Sequence, residues 1–399
     1  MAIEVRTARD DEREALHRLS QRAFLARSSP YDEDQDRVGI PLDRRLVAVD
    51  GGRVVGKLAV WELGQWFGGR RVPMGGVAGV AVEPTARGKG VGSALLRAML
   101  PAMRERGEVI ASLYPMNHTF YRKHGWEVAG AYPEQRVDMR AFVDLPKPGG
   151  AVTVRAATEA DLPAIRKVVD EASRFEAGNL SYSESFASLR LLGRSDTQRE
   201  TYVAESGGEV TGVLTFEHTD PTSEHERYGI AIQCLAATDL DTELEFARIL
   251  AVHYPVVHSA AFVAPSGRTL PMLLGERSVR PCGSGWCWMT RLVDAAGAIA
   301  ARGYAEQVDV EVDLEIDDPV APWNAGRFIL RVRDGQGTLA PGGSGRVRVG
   351  IGRLASLYTG WASPRHLARL GLLQGATDAD LAALEHAFAG PAPWCRDFF

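Results

Sequence analysis

What the chain lacks narrows it first. No apolar run reaches membrane-spanning length, and Met1-Ala2-Ile3-Glu4-Val5-Arg6 has no signal-peptide apolar segment, so a cytoplasmic protein with no membrane partner is expected. Positive charge is not in excess: 46 Lys and Arg stand against 51 Asp and Glu, a net charge of -5 with His neutral. That balance argues against sequence-independent binding of nucleic acid. Cysteine is scarce. Cys234, Cys282, Cys287 and Cys395 have no zinc-type spacing, since the C-x4-C pair lacks both a second pair and nearby histidines. No metal is expected, and the thiols are read as reduced. Gly-Lys-Ser/Thr is absent, and so is an early Gly-x-Gly-x-x-Gly after a first strand. These absences set aside a nucleoside-triphosphate loop and a dinucleotide fold.

What is present is a 399-residue chain with 45% apolar and 24% charged residues, enough for two or three globular domains. Its organising stretch is Val80-Ala81-Val82-Glu83-Pro84-Thr85-Ala86-Arg87-Gly88-Lys89-Gly90-Val91-Gly92-Ser93. It reads as a strand breaking into a glycine-rich turn that opens a helix near Val91. Val91, Ala94, Leu95, Ala98, Met99 and Ala102 give that helix one apolar stripe. Gly88, Gly90 and Gly92 allow close backbone approach, Arg87 and Lys89 add charge, and a helix N-terminus offers free N–H groups to an anion. An ordinary strand-to-helix turn gives the same spacing.

Before this stretch, Glu4-Val5-Arg6 predicts a strand and a helix capped near Asp10 or Asp11 follows, with Leu16, Leu19 and Phe24 among its apolar positions. Ser28 to Asp36 reads as a loop with four carboxylates, either solvated or lining a mouth that attracts a cationic amine. Leu46–Val49 and Val54–Val60 around Asp50-Gly51-Gly52 predict a hairpin. Val72 to Val82 supplies the next strands, and Val109 to Leu113 a buried one. Asn117 caps a short helix carrying Tyr121, which Gly125 ends. The Tyr121 hydroxyl either serves chemistry or satisfies a buried backbone group.

Pro146-Lys147-Pro148-Gly149-Gly150 reads as a linker. Beyond it Val152–Ala157 echoes Ile3–Ala8, and Tyr202–Gly212 echoes Leu46–Gly56, so the first domain is read as duplicated. In the copy, Ile230–Leu235 is followed by Ala237-Thr238-Asp239-Leu240-Asp241-Thr242-Glu243, with neither glycines nor cations. Acids there satisfy the helix dipole internally and repel a diphosphate, so this domain is expected to be structural. From about Thr290 the pattern changes: an Ala-rich helix, an acidic alternating strand Val308–Ile316, a strand Arg327–Arg333 able to pair with its charges, and helices at 354–358, 364–370 and 378–388. Trp394, Phe398 and Phe399 are costly to leave in water, so the tail is expected to dock with its terminal carboxylate inside, desolvated by Trp394 and Phe398.

Arg87, Gly90 and Gly92 as Arg-x-x-Gly-x-Gly resemble the pyrophosphate loop of GNAT acetyltransferases, and Asn117 and Tyr121 resemble that family's segment after the fifth strand. With Met289–Asp294 and Leu354–Tyr358 similar to a sterol-carrier fold, the whole chain resembles the Eis (enhanced intracellular survival) family of actinobacterial N-acetyltransferases. The resemblance implies an α+β architecture of tandem GNAT folds plus a sterol-carrier-like domain. The catalytic domain would span 1–148, the degenerate copy 149–289, and the sterol-carrier-like domain, with a catalytic C-terminus, 290–399. It implies acetyl-CoA-dependent acetylation of amines, in aminoglycosides or lysine side chains, by a hexamer built as a trimer of dimers. Tyr121 would be the general acid and the α-carboxylate of Phe399 the base. Coenzyme contacts would come from Val80, Ala81 and Val82, from Arg87, Gly88, Lys89, Gly90, Val91, Gly92 and Ser93, and from Met116 and Asn117. The chain departs from the family in Arg87-Gly88-Lys89-Gly90, where an arginine-rich loop is common, and in Phe398, where an acid is common. The rival readings are a protein-lysine acetyltransferase and a non-catalytic protein holding an apolar ligand.

Overall fold

The computed structural model describes residues 3–24, 30–192, 199–220, 228–274 and 278–399, with the side chains at 34, 35 and 38 left aside. Ser28, Ser29 and the Asp34 side chain, all in the expected acidic loop, fall outside the described residues. The first segment carries β1 (Glu4–Thr7), α1 (Arg13–Phe24), α2 (Glu33–Val38), β2 (Arg45–Asp50), β3 (Arg53–Phe67), β4 (Arg70–Val82), α3 (Val91–Glu105), β5 (Ile110–Leu113), α4 (His118–Arg122), β6 (Glu127–Ala131), β7 (Glu134–Asp138) and α5 (Arg140–Val143). Of the expected acidic loop, residues 30–32 lie outside any element, whereas its last part, from Glu33 to Asp36, belongs to the short helix α2. Its charges are neutralised locally: Asp36 takes Arg13 at 2.5 Å and Arg45 at 2.7 Å, and Glu33 takes Arg37 at 2.6 Å. Phe24, expected on the apolar face of α1, is 45% exposed, whereas Leu16 and Leu19 are buried.

The second segment repeats the order with β8 (Thr153–Ala156), α6 (Leu162–Ser173), β9 (Leu180–Tyr182), α7 (Glu184–Ala187), β10 (Arg199–Ser206), β11 (Glu209–Thr219), β12 (Tyr228–Ala237), α8 (Leu240–Ala251), β13 (Val257–Val263), α9 (Thr269–Leu273) and β14 (Val279–Pro281). Local chemistry repeats as well. Arg6 at the end of β1 holds Glu12 at 2.6 Å, and Arg155 in β8 holds Asp161 at 2.8 Å. A register shift follows Ala48 in the β2–β3 ladder and Ala204 in the β10–β11 ladder.

The last segment contains β15 (Cys287–Leu292), α10 (Ala295–Ala301), β16 (Val310–Asp317), β17 (Gly326–Arg333), β18 (Gln336–Pro341), β19 (Val347–Gly350), α11 (Ile351–Tyr358), α12 (Pro364–Arg369), β20 (Leu373–Gln374) and α13 (Asp378–Ala387). The expected cross-strand charge pairs form between β16 and β17. Glu311 lies opposite Arg331 and Glu315 opposite Arg327, with ion pairs at 2.5 and 3.6 Å. These groups are exposed, so each pair contributes at most about 1 kcal/mol.

Backbone proximity divides the chain into two compact units, one of Met1–Ala129, Trp288–Ala392 and Phe399, the other of Gly130–Cys287 and Pro393–Phe398. In the first unit a sheet runs β1-β2-β3-β4-β5-β15-β6, with β4 and β5 parallel and β15 antiparallel to β5. In the second, the order is β14-β7-β13-β12-β11-β10-β8, with β12 and β13 parallel and β7 antiparallel to β13. Each duplicated sheet thus takes the strand beside its parallel pair from the other half of the chain. A five-stranded sheet, β18-β17-β16-β19-β20, completes the first unit.

The tie inside the first unit is a fully buried charge pair. Arg291 in β15 is fully buried and forks onto Asp318 at 2.9 and 2.7 Å, while its other nitrogen donates to the His124 carbonyl at 2.6 Å. Asp318 also accepts from the Val320 and Ala321 backbone and from Asn324. Burial lowers the Arg291 pKa, opposed by Asp318. Removing one partner strands the other charge in a dry interior, so Asp318→Ala should lower stability to urea by about 3–5 kcal/mol. A loss below about 1 kcal/mol in urea unfolding would show that the pair holds nothing.

Candidate active site

The site begins where two strands stop pairing. β4 follows β5 in parallel only through Met74–Ile110, Gly75–Ala111 and Gly76–Ser112. From residue 77 to 82, β4 has lost that neighbour and keeps only β3. Two residues, Gly79 at φ 59° and Val80, stand opposite Leu58 alone, a bulge that bends the strand. Beyond it Glu83 N–H donates to the Val55 carbonyl at 2.8 Å. Because N–H groups alternate between the two edges of a strand, Val82, paired with Gly56, directs its N–H away from β3 into the opening. A donor and an acceptor therefore face a gap in the sheet, as the sequence alone does not reveal.

The glycine-rich loop lies at the end of this strand. Gly88 (φ 77°) and Gly90 (φ 83°) occupy the left-handed region, and a Cβ at either would meet nothing within 4 Å. They shape the turn and leave room in front of it. Gly92 differs from the sequence expectation: a Cβ there would meet the Phe120 ring at 3.0 Å, so this glycine lets an aromatic ring pack on α3. Arg87 and Lys89 are exposed and form no ion pair among the described residues. The nearest acid in sequence, Glu83, is buried and held by Arg22 at 3.0 Å and Arg53 at 3.4 Å, which removes a repulsive charge beside the loop. α3 starts at Val91 with Gly90 as its N-cap and no side-chain cap, so its first N–H groups keep their positive end. Its buried face is Val91, Leu95, Leu96, Met99, Leu100 and Met103. Ala94, Ala98 and Ala102 are only half-buried, a small rotation from the predicted stripe.

After β5, Met116 is 76% exposed and Asn117 caps α4, its Oδ1 accepting the Phe120 N–H at 3.1 Å. The Asn117 side-chain acceptor is thus occupied by the helix it starts. Tyr121 is buried on α4, edge-on to Phe120 and Trp126 with ring centroids at 5.1 and 6.2 Å. It belongs to the same core as the half-buried Val80 and Val82 of the opening. Desolvation pushes the Tyr121 hydroxyl up to about 12, so it stays protonated across the physiological range. Lys57, paired across the ladder with Ala81 just past the bulge, has its ammonium lowered to about 8, mainly by burial. Nothing in the sequence pattern singled it out.

Phe399 sits where the strands part. A Cβ on Gly76, the last β4 residue paired with β5, would lie 3.0 Å from the Phe399 ring, and Tyr114, directly after β5, meets that ring edge-on at 5.5 Å. Val80 to Ser93, Met116, Asn117, Tyr121 and Phe399 all belong to one compact unit. The rest of the tail docks as its apolar content demands, with one exception. Trp394 and Cys395 are buried, but Phe398 is 48% exposed, edge-on to Tyr132 and Trp286, and so does not provide the expected desolvation. Asp397, fully buried, accepts from Tyr182 at 2.8 Å and pairs with Arg190 at 3.0 Å. Neither partner carried a signal in sequence, since both lie more than 200 residues away. None of the four cysteines is in a disulfide among the described residues, and burial raises the thiols of Cys234, Cys282 and Cys287. No group of three His, Cys, Asp or Glu side chains able to hold a metal occurs among the described residues. Among the described residues no helix is long and apolar enough to cross a membrane.

Comparison with known proteins places this geometry. Residues 4–129 match the acetyltransferase (GNAT) domain family, and residues 295–396 match the sterol carrier protein domain family. Over its whole length the chain is 26% identical to an uncharacterized N-acetyltransferase of Streptomyces griseus, covering 100% of both chains. It is 25% identical to the N-acetyltransferase Eis of Mycobacterium tuberculosis, with 98% of each covered. The crystal structure of a GCN5-related N-acetyltransferase from Anabaena variabilis superposes with a TM-score of 0.91 at 27% identity, covering 100% of both chains. An opened β4 followed by an anion-ready loop, the two domain matches and full-length relatives of one kind lead to one assignment: the chain is an acetyl-CoA-dependent N-acetyltransferase with a GNAT domain at 4–129 and a sterol carrier protein domain at 295–396, similar over its whole length to the Eis-type enzymes.

Proposed function

We propose that the acceptors are amine groups of aminoglycoside-like polyamines, acetylated by direct transfer, with residues 1–148 as the catalytic domain, 149–289 as a structural one and 290–399 supplying the reactive C-terminus. The observation that carries the reading is the seating of Phe399 against Gly76 and Tyr114, where β4 leaves β5, in the unit that also holds Tyr121. Acetyl-CoA supplies the thioester-bound acetyl group. The residues present suit its diphosphate: Gly88 and Gly90 leave open space, Arg87 and Lys89 are exposed cations with no ion pair among the described residues, and α3 starts with no side-chain cap on its N–H groups. Val80, Ala81 and Val82 offer backbone to the pantetheine arm, Val91 to Ser93 flank the diphosphate, and Met116 with Asn117 lines the far side.

In the transfer, the Val82 N–H donates to the acetyl oxygen as negative charge develops there. The Phe399 α-carboxylate, with an ordinary pKa of about 3.5, is too weak a base for a free ammonium. It takes the proton from the attacking nitrogen once bond formation has made that nitrogen acidic. Tyr121 is the acid. Passing a whole proton from a hydroxyl near 12 to a thiolate whose conjugate acid lies near about 8.5 is uphill. The hydroxyl therefore works first as a hydrogen-bond donor that strengthens as charge builds on the departing sulfur. A lysine side chain presents the same nucleophile and remains the competing acceptor. The apolar-ligand reading gains no support from the C-terminal segment, where the buried Arg302 guanidinium lies among Tyr304, Tyr358 and Phe388. A cytoplasmic hexamer, assembled as a trimer of dimers, belongs to the same proposal and is tested by light scattering.

Three outcomes are expected. Tyr121→Phe should lower kcat about 100-fold with an unchanged urea midpoint; an unaltered kcat would leave Tyr121 as a packing residue. Extending the chain past Phe399 should abolish turnover while acetyl-CoA affinity stays within about threefold, since that binding rests on the loop and β4; equal turnover would remove the tail from the chemistry. Because the Tyr121 pKa is raised, its working protonated form persists until pH approaches about 12. The kcat of the native chain should then show no alkaline fall between about pH 8 and 10, and a fall centred near the unperturbed value of about 10 would contradict the assignment.

A further inference from the structure

The second sheet parts as the first does. β12 pairs with β13 only through Ala231–Ala261, so residues 232–237 lose their parallel neighbour just as 77–82 do. In a GNAT fold that free edge offers hydrogen bonds to a coenzyme, but here the edge is already taken. Thr238 N–H donates to the Thr211 carbonyl, so the alternation along β12 turns Leu235, paired with Leu214, away from β11. Its carbonyl accepts from Arg396 at 3.3 Å. The Gln233 carbonyl accepts from Arg190 at 2.9 Å, and the Gln233 side chain accepts from the same guanidinium at 2.6 Å. Two arginines therefore occupy two acceptors of the free edge, the Gln233 and Leu235 carbonyls. One belongs to the tail, and the other holds the tail's Asp397.

The remaining contacts pin the tail residue by residue within the second unit. Cys395 N–H and the Pro393 carbonyl bracket Ala131, and Trp394 donates its N–H to the Ala177 carbonyl and its indole N–H to Glu176 at 2.9 Å. Arg396 N–H donates to Asn179, its guanidinium also reaches Ser173, and its buried Nε has no partner. A cavity of about 130 Å³ remains beside it, walled by Glu243, Arg268 and Trp394. At α8, Asp239 caps the N-terminus by accepting the Thr242 N–H at 2.8 Å, and Asp241 and Glu243 fill the first turn, so a diphosphate has no place to bind.

We propose that the degenerate domain serves the reaction by holding the C-terminal tail in its unused coenzyme cleft, with Tyr182 and Arg190 as positioning residues that act through Asp397 on Phe399. The inference rests on the Phe399 carboxylate being the base. Asp397 is two residues from Phe399, and two residues span at most about 7 Å, so fixing one confines the other. A rotamer-sized displacement at a reacting group is enough to slow chemistry without touching coenzyme binding.

The test uses the full chain with Tyr182→Phe and, independently, the near-isosteric Asp397→Asn, so that one folding failure does not remove the test. Carboxypeptidase should release Phe399 at least about fivefold faster from either variant, and kcat should fall about tenfold with the KM for acetyl-CoA unchanged. Unchanged Phe399 release in both folded variants would overturn the anchor. Faster release with unaltered kcat would leave the anchor standing and overturn the Phe399 base on which the proposal rests.

Discussion

Two parallel strands that pair for three residues and then part create the place where everything else is arranged. β4 has a β5 partner only from Met74 to Gly76, and the bulge at Gly79 and Val80 turns its remaining residues along a separate course. Main-chain groups that would be satisfied inside a sheet are left facing a gap, a state that a folded chain keeps only where something else occupies or uses it. In the first unit the gap is followed by a loop without side chains at Gly88 and Gly90 and by two cations, Arg87 and Lys89, that form no ion pair among the described residues. In the second unit the same parting is filled by Arg190 and Arg396. One architectural feature thus takes two forms, open beside a glycine-rich loop in the first unit and filled by the protein's own arginines in the second.

Holding such a gap open needs rigid surroundings, and the first unit supplies them through buried charge. Arg291 and Asp318 meet with both side chains fully buried, and Arg44 and Glu108 form a second buried pair, with the Arg44 Nε donating to the Val60 carbonyl at 2.8 Å. Ser112 bonds both Gln65 and Thr290 across three strands, at the residue where β4 and β5 pair for the last time. Such groups are poor contributors to net stability but tolerate few alternative arrangements, since each misplacement strands a buried polar atom. The exchange of β7 and β15 between the sheets adds a topological constraint, because neither sheet is completed by its own consecutive strands.

Much of this was legible in the chain. The hairpin at Asp50-Gly51-Gly52, the start of α3 at Val91, the Asn117 cap and the echo of Leu46–Gly56 in Tyr202–Gly212 are local in sequence, and local chemistry determines them. The charge alternation of β16 and β17 announced its own pairing. What escaped was non-local. No periodicity indicates that β7 joins the second sheet or β15 the first, and nothing near Asp397 signals Tyr182. The helix at the end of the acidic stretch has no local signal because Glu33 and Asp36 are paired with Arg13, Arg37 and Arg45, two of which, Arg13 in α1 and Arg45 in β2, lie in other elements. Gly92 looked like a ligand-facing glycine from spacing, yet the Phe120 ring, 28 residues on, explains it. The tail's burial followed from its aromatics, but which of them turned outward did not.

The central claim is that the coenzyme occupies the first opening and the tail the second, and amide hydrogen exchange with and without acetyl-CoA tests it most directly. One bound acetyl-CoA per chain, with new protection at residues 80–93 and none at 232–243, is the predicted result. Protection in the second stretch, or two coenzymes per chain, would contradict the account.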